Sequence, residues 1–423
     1  MGRRTAVPPQ ITPEGIVEVA GKAPLLLSPH WSGEADPGLE AVREAVRAAD
    51  GPKGYLHWDK LRHRPCPPGW TPEEIWTVVR VRRDFQGRPL PDLLQKDGRP
   101  FTLVESSPYR AALQRLGQPT ELWSVVRELL RLEDATAGWG KPTAVFTRVD
   151  DTYRIMAAFE EAYFSSAIEG AVTTQRQARE LLRTQREPRD KSERMVLNVY
   201  RTVELLRERL EEPLRPDFIR EIHATLTDGT LEDVADQGRF RGDDSVVISD
   251  SSSREVLYEP PPASELAERM DRLCAFANAT NADDEFIHPI TRAILLHHQL
   301  AYDHPFVDGN GRTARALFQW AVLRAGFPWF RFLSISRAIH RSRESYYRSF
   351  RYVQTDQGDL TYFVRDQLRC IEAELARFVS FLESRVRTAA WLRSKHEIEA
   401  TLNDRQLALL EYALAHPTAE FSV

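Results

Sequence analysis

Cysteine is scarce in this chain of 423 residues, which carries only Cys66, Cys274 and Cys370. An odd and widely spaced set of cysteines argues against a disulfide framework and suits a reducing compartment, so we predict a cytoplasmic protein. The first residues lack the apolar core of a secretory signal. No apolar run approaches the length needed to cross a bilayer, so a membrane is not expected as a partner.

An excess of positive charge is also lacking. The chain has 57 Lys and Arg against 62 Asp and Glu, which gives a formal net charge of −5. No global basic field therefore favours nucleic acid or an anionic membrane. Hydrophobic residues make up 42% and charged residues 28% of the sequence, as in ordinary globular proteins.

A zinc site is not indicated either, although histidines cluster in one region. His288, His297 and His298 lie close together, but no cysteine or second carboxylate falls at zinc spacing. The surrounding segment 293–302 reads as an apolar helix, so we expect these histidines to be structural. We expect His223 to be a packing position in another helix.

What the sequence does have is a segment from His304 to Arg315 with a histidine, a carboxylate, a Gly-Asn-Gly run and two arginines. Gly309, Asn310 and Gly311 tolerate positive φ and can turn backbone N–H groups inward as an anion-binding nest. The apolar period after them predicts a helix over 313–323. A nest followed by a helix N-terminus favours phosphate.

The polar side chains of this segment point to a reaction. His304 can accept a proton from a hydroxyl near neutral pH, and Asp308 can hold Mg²⁺ together with substrate phosphates. Arg312 and Arg315 are three residues apart on one side of the predicted helix, where cations need an anionic partner. No Gly-Lys-Ser/Thr follows the glycines, so this is not a Walker A loop. The segment indicates phosphoryl or nucleotidyl transfer.

The segment matches the Fic family motif His-Pro-Phe-x-Asp/Glu-Gly-Asn-Gly-Arg-x-x-Arg at every specified position. Fic enzymes transfer AMP from ATP onto a hydroxyl side chain of a protein. The resemblance implies that His304 is the general base, that Asp308 holds Mg²⁺ or Mn²⁺, and that Arg312 belongs to the catalytic set. It also implies a nucleotide site formed by Asp308, Gly309, Asn310, Gly311, Arg312, Thr313 and Arg315. Transfer of UMP or phosphocholine stays open, because the anion-binding nest contacts the phosphates and does not select the group attached to them.

A second motif lies upstream, where a helix is predicted to end at Gly170. Its last turns contain Ser165, Glu169 and Gly170, and they resemble the Ser/Thr-x-x-x-Glu-Gly/Asn motif of Fic proteins that carry an inhibitory helix. The resemblance implies that Glu169 pairs with Arg315 and keeps it from the ATP γ-phosphate. In some members the same glutamate aligns a water that removes AMP from a modified protein, so the direction of the reaction stays open.

Between the motifs, two β-rich runs flank a turn rich in serine and aspartate, which predicts a hairpin. It resembles the Fic flap, and the resemblance places Val246, Val247, Ile248 and Ser249 beside the nucleotide. An exposed edge there could pair with an extended target peptide. Beyond the motif, Tyr346 and, more weakly, Gln354 are carried over as adenine or ribose contacts. Core packing of Tyr346 is the alternative.

The expected fold is mainly α, a Fic-type helical bundle with a β-hairpin flap. We predict a mixed N-terminal module over 1–120 and a Fic domain over 121–385, with its inhibitory helix at 152–170 and its catalytic loop at 304–315. Residues 386–423 resemble the start of a winged-helix region. Because this region stops before a recognition helix, specific DNA binding is not expected.

The sequence thus predicts an autoinhibited protein adenylyltransferase that moves AMP from Mg-ATP to a Ser, Thr or Tyr hydroxyl. The acceptor would be a target protein or the chain itself. The alternatives are a protein deadenylylase that uses the same site, and a nucleotide-sensing regulator with a DNA-binding type of C-terminal domain. A homodimer is kept open as well, because some family members relieve the brake through changes in a dimer.

Overall fold

The structure is a computed structural model that describes residues 5–23, 39–50, 54–134, 143–249, 255–279, 286–393 and 406. The helices of the described residues are α1 Pro13–Lys22, α2 Glu40–Asp50, α3 Trp58–Leu61, α4 Pro72–Gln86, α5 Ser107–Gly117, α6 Thr120–Asp134, α7 Thr143–Ile168, α8 Gln175–Thr184, α9 Lys191–Glu208, α10 Pro216–Thr227, α11 Leu266–Asn278, α12 Pro289–Asp303, α13 Asn310–Arg324, α14 Ile335–Arg341, α15 Arg343–Thr355 and α16 Thr361–Arg393. The strands are β1 Gly54–Tyr55, β2 Gly87–Leu94, β3 Pro100–Val104, β4 Ile248–Ser249 and β5 Val256–Tyr258.

The fold is mainly helical, as expected. Strands in the described part form two antiparallel pairs, β2 with β3 and β4 with β5. In the first pair Gly87 lies opposite Val104, and in the second Ile248 lies opposite Tyr258. The pair β2 and β3 contributes buried side chains such as Leu93 and Phe101 to the interior, which is otherwise formed by helices.

Apolar side chains collect in two separate clusters. The smaller one is built by α1 to α4 and includes Trp58 and Trp76. The larger one runs from β2 to α16 and includes Phe306, Trp320 and Phe363. In terms of packing, the change from one cluster to the other falls between α4 and β2. The expected domain boundary near residue 120 stays a prediction.

Buried polar contacts join the two clusters. Arg80 of α4 lies 3.1 Å from Asp356, which follows α15, and the fully buried Arg83 donates from Nη1 to the hydroxyl of Tyr362 in α16 at 2.6 Å. The ring of His57 stacks on Tyr352 of α15, with 4.0 Å between centroids. Because breaking a buried pair strands a charge, this junction fixes how the N-terminal residues sit on the larger cluster.

The centre of the larger cluster is the pair α12 and α13, which pack against each other. Helix α12 has buried side chains on nearly every face, including Ile294, Leu295 and Leu296. The histidines next to them are buried too, and burial lowers the pKa of His298 to about 3. His297 and His298 therefore stay neutral inside the core, in accord with the structural role expected for them.

No helix in the described ranges combines the length and apolarity needed to cross a membrane. Residues 386–393 of the region resembling a winged helix continue α16. The rest of that region, including its segment 402–414, lies outside the described residues apart from Gln406.

Candidate active site

The loop between α12 and α13 is shaped by two left-handed residues. His304 caps the end of α12 at φ 48°, and Gly309 caps the start of α13 at φ 84°. Helix α13 begins at Asn310, three residues before the predicted start at Thr313. The first-turn N–H groups of Gly311 and Arg312 have no partner within the helix, so this end attracts an anion.

His304 is held in the tautomer that a general base needs. Its Nδ1 lies 3.2 Å from the carbonyl oxygen of Ala301, which can only accept, so Nδ1 carries the proton. The lone pair is thus on Nε2. Burial lowers the pKa of His304 below its usual value, which keeps the ring neutral near pH 7.

Asp308 stands at the mouth of the loop with its side chain 55% exposed. Its Oδ1 accepts from the N–H of Gly309 at 2.6 Å, and its Oδ2 lies 3.5 Å from Nη2 of Arg312. The described residues contain no group of three or more potential metal ligands. A lone accessible carboxylate fits an ion such as Mg²⁺, which keeps most of its ligands as phosphate and water.

The two arginines of the motif have different partners. Arg312 is 2% exposed and donates from Nη1 to the carbonyl oxygen of Leu226 at 3.1 Å. Its buried Nε has no partner among the described residues, so one donor is left for a ligand. Arg315 is directed to α7 instead.

Arg315 is enclosed by the end of α7. Its Nε donates to Oγ of Ser165 at 3.0 Å, and its Nη2 donates to the backbone oxygen of Ser165 at 2.9 Å and to Oε1 of Glu169 at 2.8 Å. Burial is the largest single influence and opposes the charge on Arg315, but Glu169, Tyr346 and Glu161 together outweigh it and raise the pKa of Arg315. The pair that the inhibitory motif implies is present in this geometry.

Gly170 fixes where Glu169 points. It adopts φ 88°, and its N–H bonds to the oxygen of Ala167 at 3.2 Å while the N–H of Ala171 bonds to the oxygen of Ser166 at 3.0 Å. These two bonds form a Schellman ending, which glycine adopts without the steric cost that a Cβ adds. The helix therefore stops directly after Glu169 and leaves its carboxylate free to reach Arg315.

The carboxylate of Glu169 lies against the start of α13. A Cβ built on Gly311 would meet Oε1 of Glu169 at 2.3 Å and Nη1 of Arg315 at 3.1 Å. Only glycine at 311 leaves room for an anion so close to the backbone. Glu169 thus occupies the place at the helix N-terminus where a phosphate is expected.

Sequence reasoning gave His223 no role beyond packing, yet it supports the catalytic loop. Its ring stacks on Phe306 with 3.7 Å between centroids and 1° between planes. Its Nδ1 accepts from the N–H of Gly238 at 3.1 Å, so its Nε2 is protonated and donates to the carbonyl oxygen of Asp308 at 2.8 Å. Nothing in the local sequence around His223 signals these contacts, because they join separate elements.

Arg241 is the second residue without a predicted role. Its Nε donates to the carbonyl oxygen of His304 at 3.0 Å, and its backbone N–H donates to the oxygen of Pro305 at 2.8 Å. Its Nη1 donates to the oxygen of Asp243 at 2.8 Å, and its Nη2 donates to the oxygen of Pro261. One buried guanidinium therefore connects the backbone of His304 to both ends of the hairpin region.

Two predicted nucleotide contacts use their side chains inside the loop. The amide of Asn310 accepts from the N–H of Phe306 at 2.9 Å and donates to its carbonyl oxygen at 2.8 Å. The hydroxyl of Thr313 is buried and donates to the oxygen of Gly309 at 3.0 Å. These side chains shape the loop, which leaves the backbone N–H of Asn310 as the group that can face a ligand.

Tyr346 is only 3% exposed, and its hydroxyl lies 2.9 Å from Nε2 of His297. Tyr346 therefore has the buried environment that the alternative interpretation, core packing, describes. Its neighbour Tyr347 is 43% exposed and is the tyrosine of this pair that solvent reaches. Gln354 is half-buried further along α15. The structure does not bring Tyr346 to an open surface, because helix phase turns it inward.

The predicted hairpin is present as β4 and β5, with its turn outside the described residues. Apolar side chains remain exposed on it, with 43% for Val247, 50% for Val256 and 37% for Leu257. Val246 and Ile248 are half-buried and Ser249 is exposed. The hairpin thus offers a short, partly apolar edge near the site.

Residues 213–322 match the family model described as Fic/DOC family, and they contain the complete loop, all of α12 and α13 as far as Val322. This part of the chain is therefore similar to Fic/DOC proteins.

The chain is similar to proteins named "Protein adenylyltransferase Fic". It is 32% identical to the one from Nematostella vectensis over 233 residues, 53% of this chain and 49% of the relative. It is 30% identical to the one from Drosophila melanogaster over 224 residues, 52% of this chain and 42% of the relative. The chain thus spans about half the length of the curated relatives it matches.

Among solved structures, a Fic family protein from Desulfovibrio desulfuricans G20 is 22% identical with a TM-score of 0.49, covering 62% of this chain and 75% of its own. Fic-1 from C. elegans, residues 134–508, is 21% identical with a TM-score of 0.48, covering 82% and 84%.

Proposed function

We propose that this protein transfers AMP from ATP to a serine, threonine or tyrosine hydroxyl and that Glu169 holds the reaction in check. One observation carries the proposal. A carboxylate occupies the anion position at the start of α13, paired to Arg315 and next to His304. A site built for phosphate and closed by a carboxylate of the same chain is what an autoinhibited nucleotidyltransferase requires. The names of the relatives support the same chemistry.

His304 would act as the general base. Its Nε2 lone pair accepts the proton of the acceptor hydroxyl while that oxygen attacks the α-phosphorus of ATP and pyrophosphate leaves. The αL position of His304 and its bond to Ala301 fix the ring before substrate arrives. Fixing the ring in advance removes the need for reorientation during the reaction.

The start of α13 would bind the phosphates. The N–H groups of Gly311 and Arg312 and the unpartnered Nε of Arg312 are donors for negative charge that builds up in the transition state. Asp308 would hold Mg²⁺ or Mn²⁺, and the bound ion would neutralise phosphate charge. Val246 to Ser249 of the hairpin region would line the nucleotide, and we propose the exposed Tyr347 as an adenine neighbour in place of Tyr346.

The brake would act by competition. Glu169 and a γ-phosphate seek the same guanidinium of Arg315, and two anions cannot share the position beside Gly311. ATP would then bind with its phosphates displaced from the attacking hydroxyl. Release of the brake requires Glu169 to leave, which the rigid end of α7 opposes.

The test is mass spectrometry of the purified Glu169→Gly variant after incubation with Mg-ATP. We expect the mass of one or more AMP groups on the variant and at least a tenfold smaller yield on the native chain. The matched control is Glu160→Gly on the same helix, which lacks contact with Arg315. Equal labelling of the native chain and Glu169→Gly would reject the brake.

The catalytic assignment needs a second control. We expect Glu169→Gly combined with His304→Ala to lose at least about 100-fold in labelling, the usual contribution of a general base. Binding of ATP should persist in that double variant. Labelling that survives the loss of His304 would reject the proposed reaction.

The second candidate is removal of AMP from a modified protein by the same site. It is favoured by the electrostatic coupling between Glu169 and His304, since a carboxylate beside the base could align a water. Incubation with an AMP-modified protein distinguishes the two directions. Release of free AMP that is lost in Glu169→Gly would support this candidate. AMP labelling that increases in Glu169→Gly would support transfer.

The remaining assignments are also proposals. Three free cysteines support a reducing compartment such as the cytoplasm. The partners would be ATP and a target protein or a second copy of the chain. A nucleotide-sensing regulator is the third reading, and it predicts ATP binding without turnover in Glu169→Gly.

A further inference from the structure

A cavity lies away from the catalytic loop, where the N-terminal segment meets α15 and α16. Its volume is about 400 Å³, and its walls come from residues 54–60, the start of α5, α15 and α16. A cavity of this size is within the range that small-molecule sites occupy. It is formed between the two apolar clusters, a common place for a ligand site.

The walls of this cavity are cationic. Five cationic side chains and two carboxylates line it, the cations being Lys60, Arg115, Arg348, Arg365 and Arg369, and the carboxylates Asp366 and Glu372. Each carboxylate is paired: Arg115 lies 2.6 Å from Glu372, and Arg369 lies 2.6 Å from Asp366. The lining therefore carries an excess of three positive charges, five cations against two carboxylates.

Arg365 is the most informative of the five cations. It is half-buried, and no carboxylate of the described residues lies within ion-pair distance of it. Its guanidinium lies 5.7 Å from the ring centroid of Tyr55. Burial is the main cause that lowers the pKa of Arg365; the nearby cations Arg369 and Arg83 add to it, while Tyr55 and Asp50 oppose it only in part. A desolvated cation held among other cations is unfavourable unless an anion completes the site.

Aromatic residues also line the cavity. His57 and Tyr352 form a stacked pair that is almost fully buried, as are Tyr109 and Tyr362, so the half-buried Tyr55 presents most of the accessible ring surface. Rings of this kind bind the planar or apolar part of a ligand, while arginines bind phosphate oxygens in a bidentate manner. The combination therefore favours a molecule with a phosphate at one end and a compact body at the other.

We propose that this cavity binds a small phosphorylated molecule through Lys60, Arg348 and Arg365. The site is separate from the catalytic loop and independent of the proposed AMP transfer. It uses the face of α15 formed by residues 345, 348, 349 and 352, which recur at three- and four-residue steps. At the start of α15, Arg343 instead donates to the oxygen of Ile168 at 2.9 Å, at the end of the inhibitory helix.

The experiment is a calorimetric titration of the full chain with inorganic pyrophosphate at constant ionic strength. The catalytic loop also binds phosphate, so the titrations are made in an Arg312→Ala background. We expect Arg348→Gln combined with Arg365→Gln to weaken binding at least tenfold. The matched control is Arg341→Gln combined with Arg351→Gln, which removes two arginines that do not line the cavity and should leave binding unchanged.

Two further variants keep the test decisive if the double variant folds poorly. Lys60→Gln changes an exposed side chain and should weaken pyrophosphate several-fold, while Arg365→Lys should retain most of the binding. Sulfate at matched ionic strength should compete only weakly. If the Lys60 variant and the Arg348/Arg365 double variant bind pyrophosphate as tightly as the Arg312→Ala chain does, the proposed site is rejected. Equal loss in the control pair would mean general charge screening and would overturn it as well.

Discussion

The catalytic loop, residues 304–309 with the first turn of α13, and the hairpin of β4 and β5 lie close together but are built in opposite ways. The loop is held from several sides: Phe306 is fully buried against His223, and Glu169 and Arg315 close its far end. The hairpin has two paired positions in its ladder and exposes Val256 and Leu257. The loop is fixed by tertiary contacts on several sides, whereas the hairpin is attached through Tyr258, which packs on Tyr302, and at its two ends through Arg241.

This difference matches the needs of the two tasks. Groups that stabilise a transition state act best when they are fixed beforehand, because reorientation during the reaction costs free energy. An edge that accepts an extended peptide needs unpaired backbone groups and few contacts with the rest of the chain. Arg241 connects the two regions, since it donates both to His304 and to the backbone at the hairpin ends. The comparison can therefore be tested first at this residue.

Arg241→Ala should give the largest effect. Without its guanidinium, the carbonyl oxygen of His304 loses its donor and the base is free to shift. Misplacement of a catalytic group by about 1 Å costs about 100-fold in rate. We expect that loss in kcat for AMP labelling, measured in the Glu169→Gly background, with KM for ATP changed much less.

The matched control is Arg239→Ala, two residues away on the same segment and exposed. It should leave kcat within about twofold of its background, since it removes a charge without a buried contact. Arg241→Lys keeps the charge and loses the branched donor, and it should fall between the two. If Arg241→Ala keeps full kcat, the loop does not depend on the hairpin ends.

The pH dependence should be next in size. Burial lowers the pKa of His304 below its usual value near 6.5. The base acts when neutral, so activity is present above this pKa and is lost as pH falls through it. Labelling by Glu169→Gly should therefore retain more than roughly half of its plateau rate at pH 6.5. Loss of Glu169 removes a charge that raises the pKa, which moves the acid limb further down.

A profile of kcat/KM between pH 5 and 8 measures this limb in the free enzyme. Arg241→Lys should show a similar limb, because the neighbouring positive charge is kept. An acid limb above pH 6.5 would mean that His304 is solvated in the working state and that the loop is not held as described.

The turn between α12 and α13 and the pairing of Glu169 with Arg315 could be predicted because both belong to short motifs. Their residue types carry the chemistry at a fixed spacing, and Gly170 marks the helix end that aims Glu169. The contacts that hold the loop could not be predicted in this way. His223 and Arg241 reach it from other elements, 81 and 63 residues away from His304 in the sequence, and only the fold brings them together.

The directions of the side chains could not be predicted from the sequence either. Asn310 and Thr313 are in the motif, yet their side chains turn inward and bond to the loop backbone. Tyr346 and Tyr347 are adjacent, and helix phase alone decides that Tyr346 is buried and Tyr347 is exposed. A motif indicates which residues matter, but the packing around them decides which atom faces a ligand.

The smallest expected effect compares one substitution in the two regions. Leu300→Ala, in α12 one turn before the loop, removes a fully buried side chain and should lower the free energy of unfolding by about 2–5 kcal/mol. Leu257→Ala removes a side chain that is 37% exposed on the hairpin and should stay within about 0.5 kcal/mol. Urea denaturation of both variants measures the difference. A loss of more than about 1 kcal/mol in the free energy of unfolding for Leu257→Ala would show that the hairpin is packed in the free protein. The contrast between the fixed loop and the exposed hairpin would then be wrong.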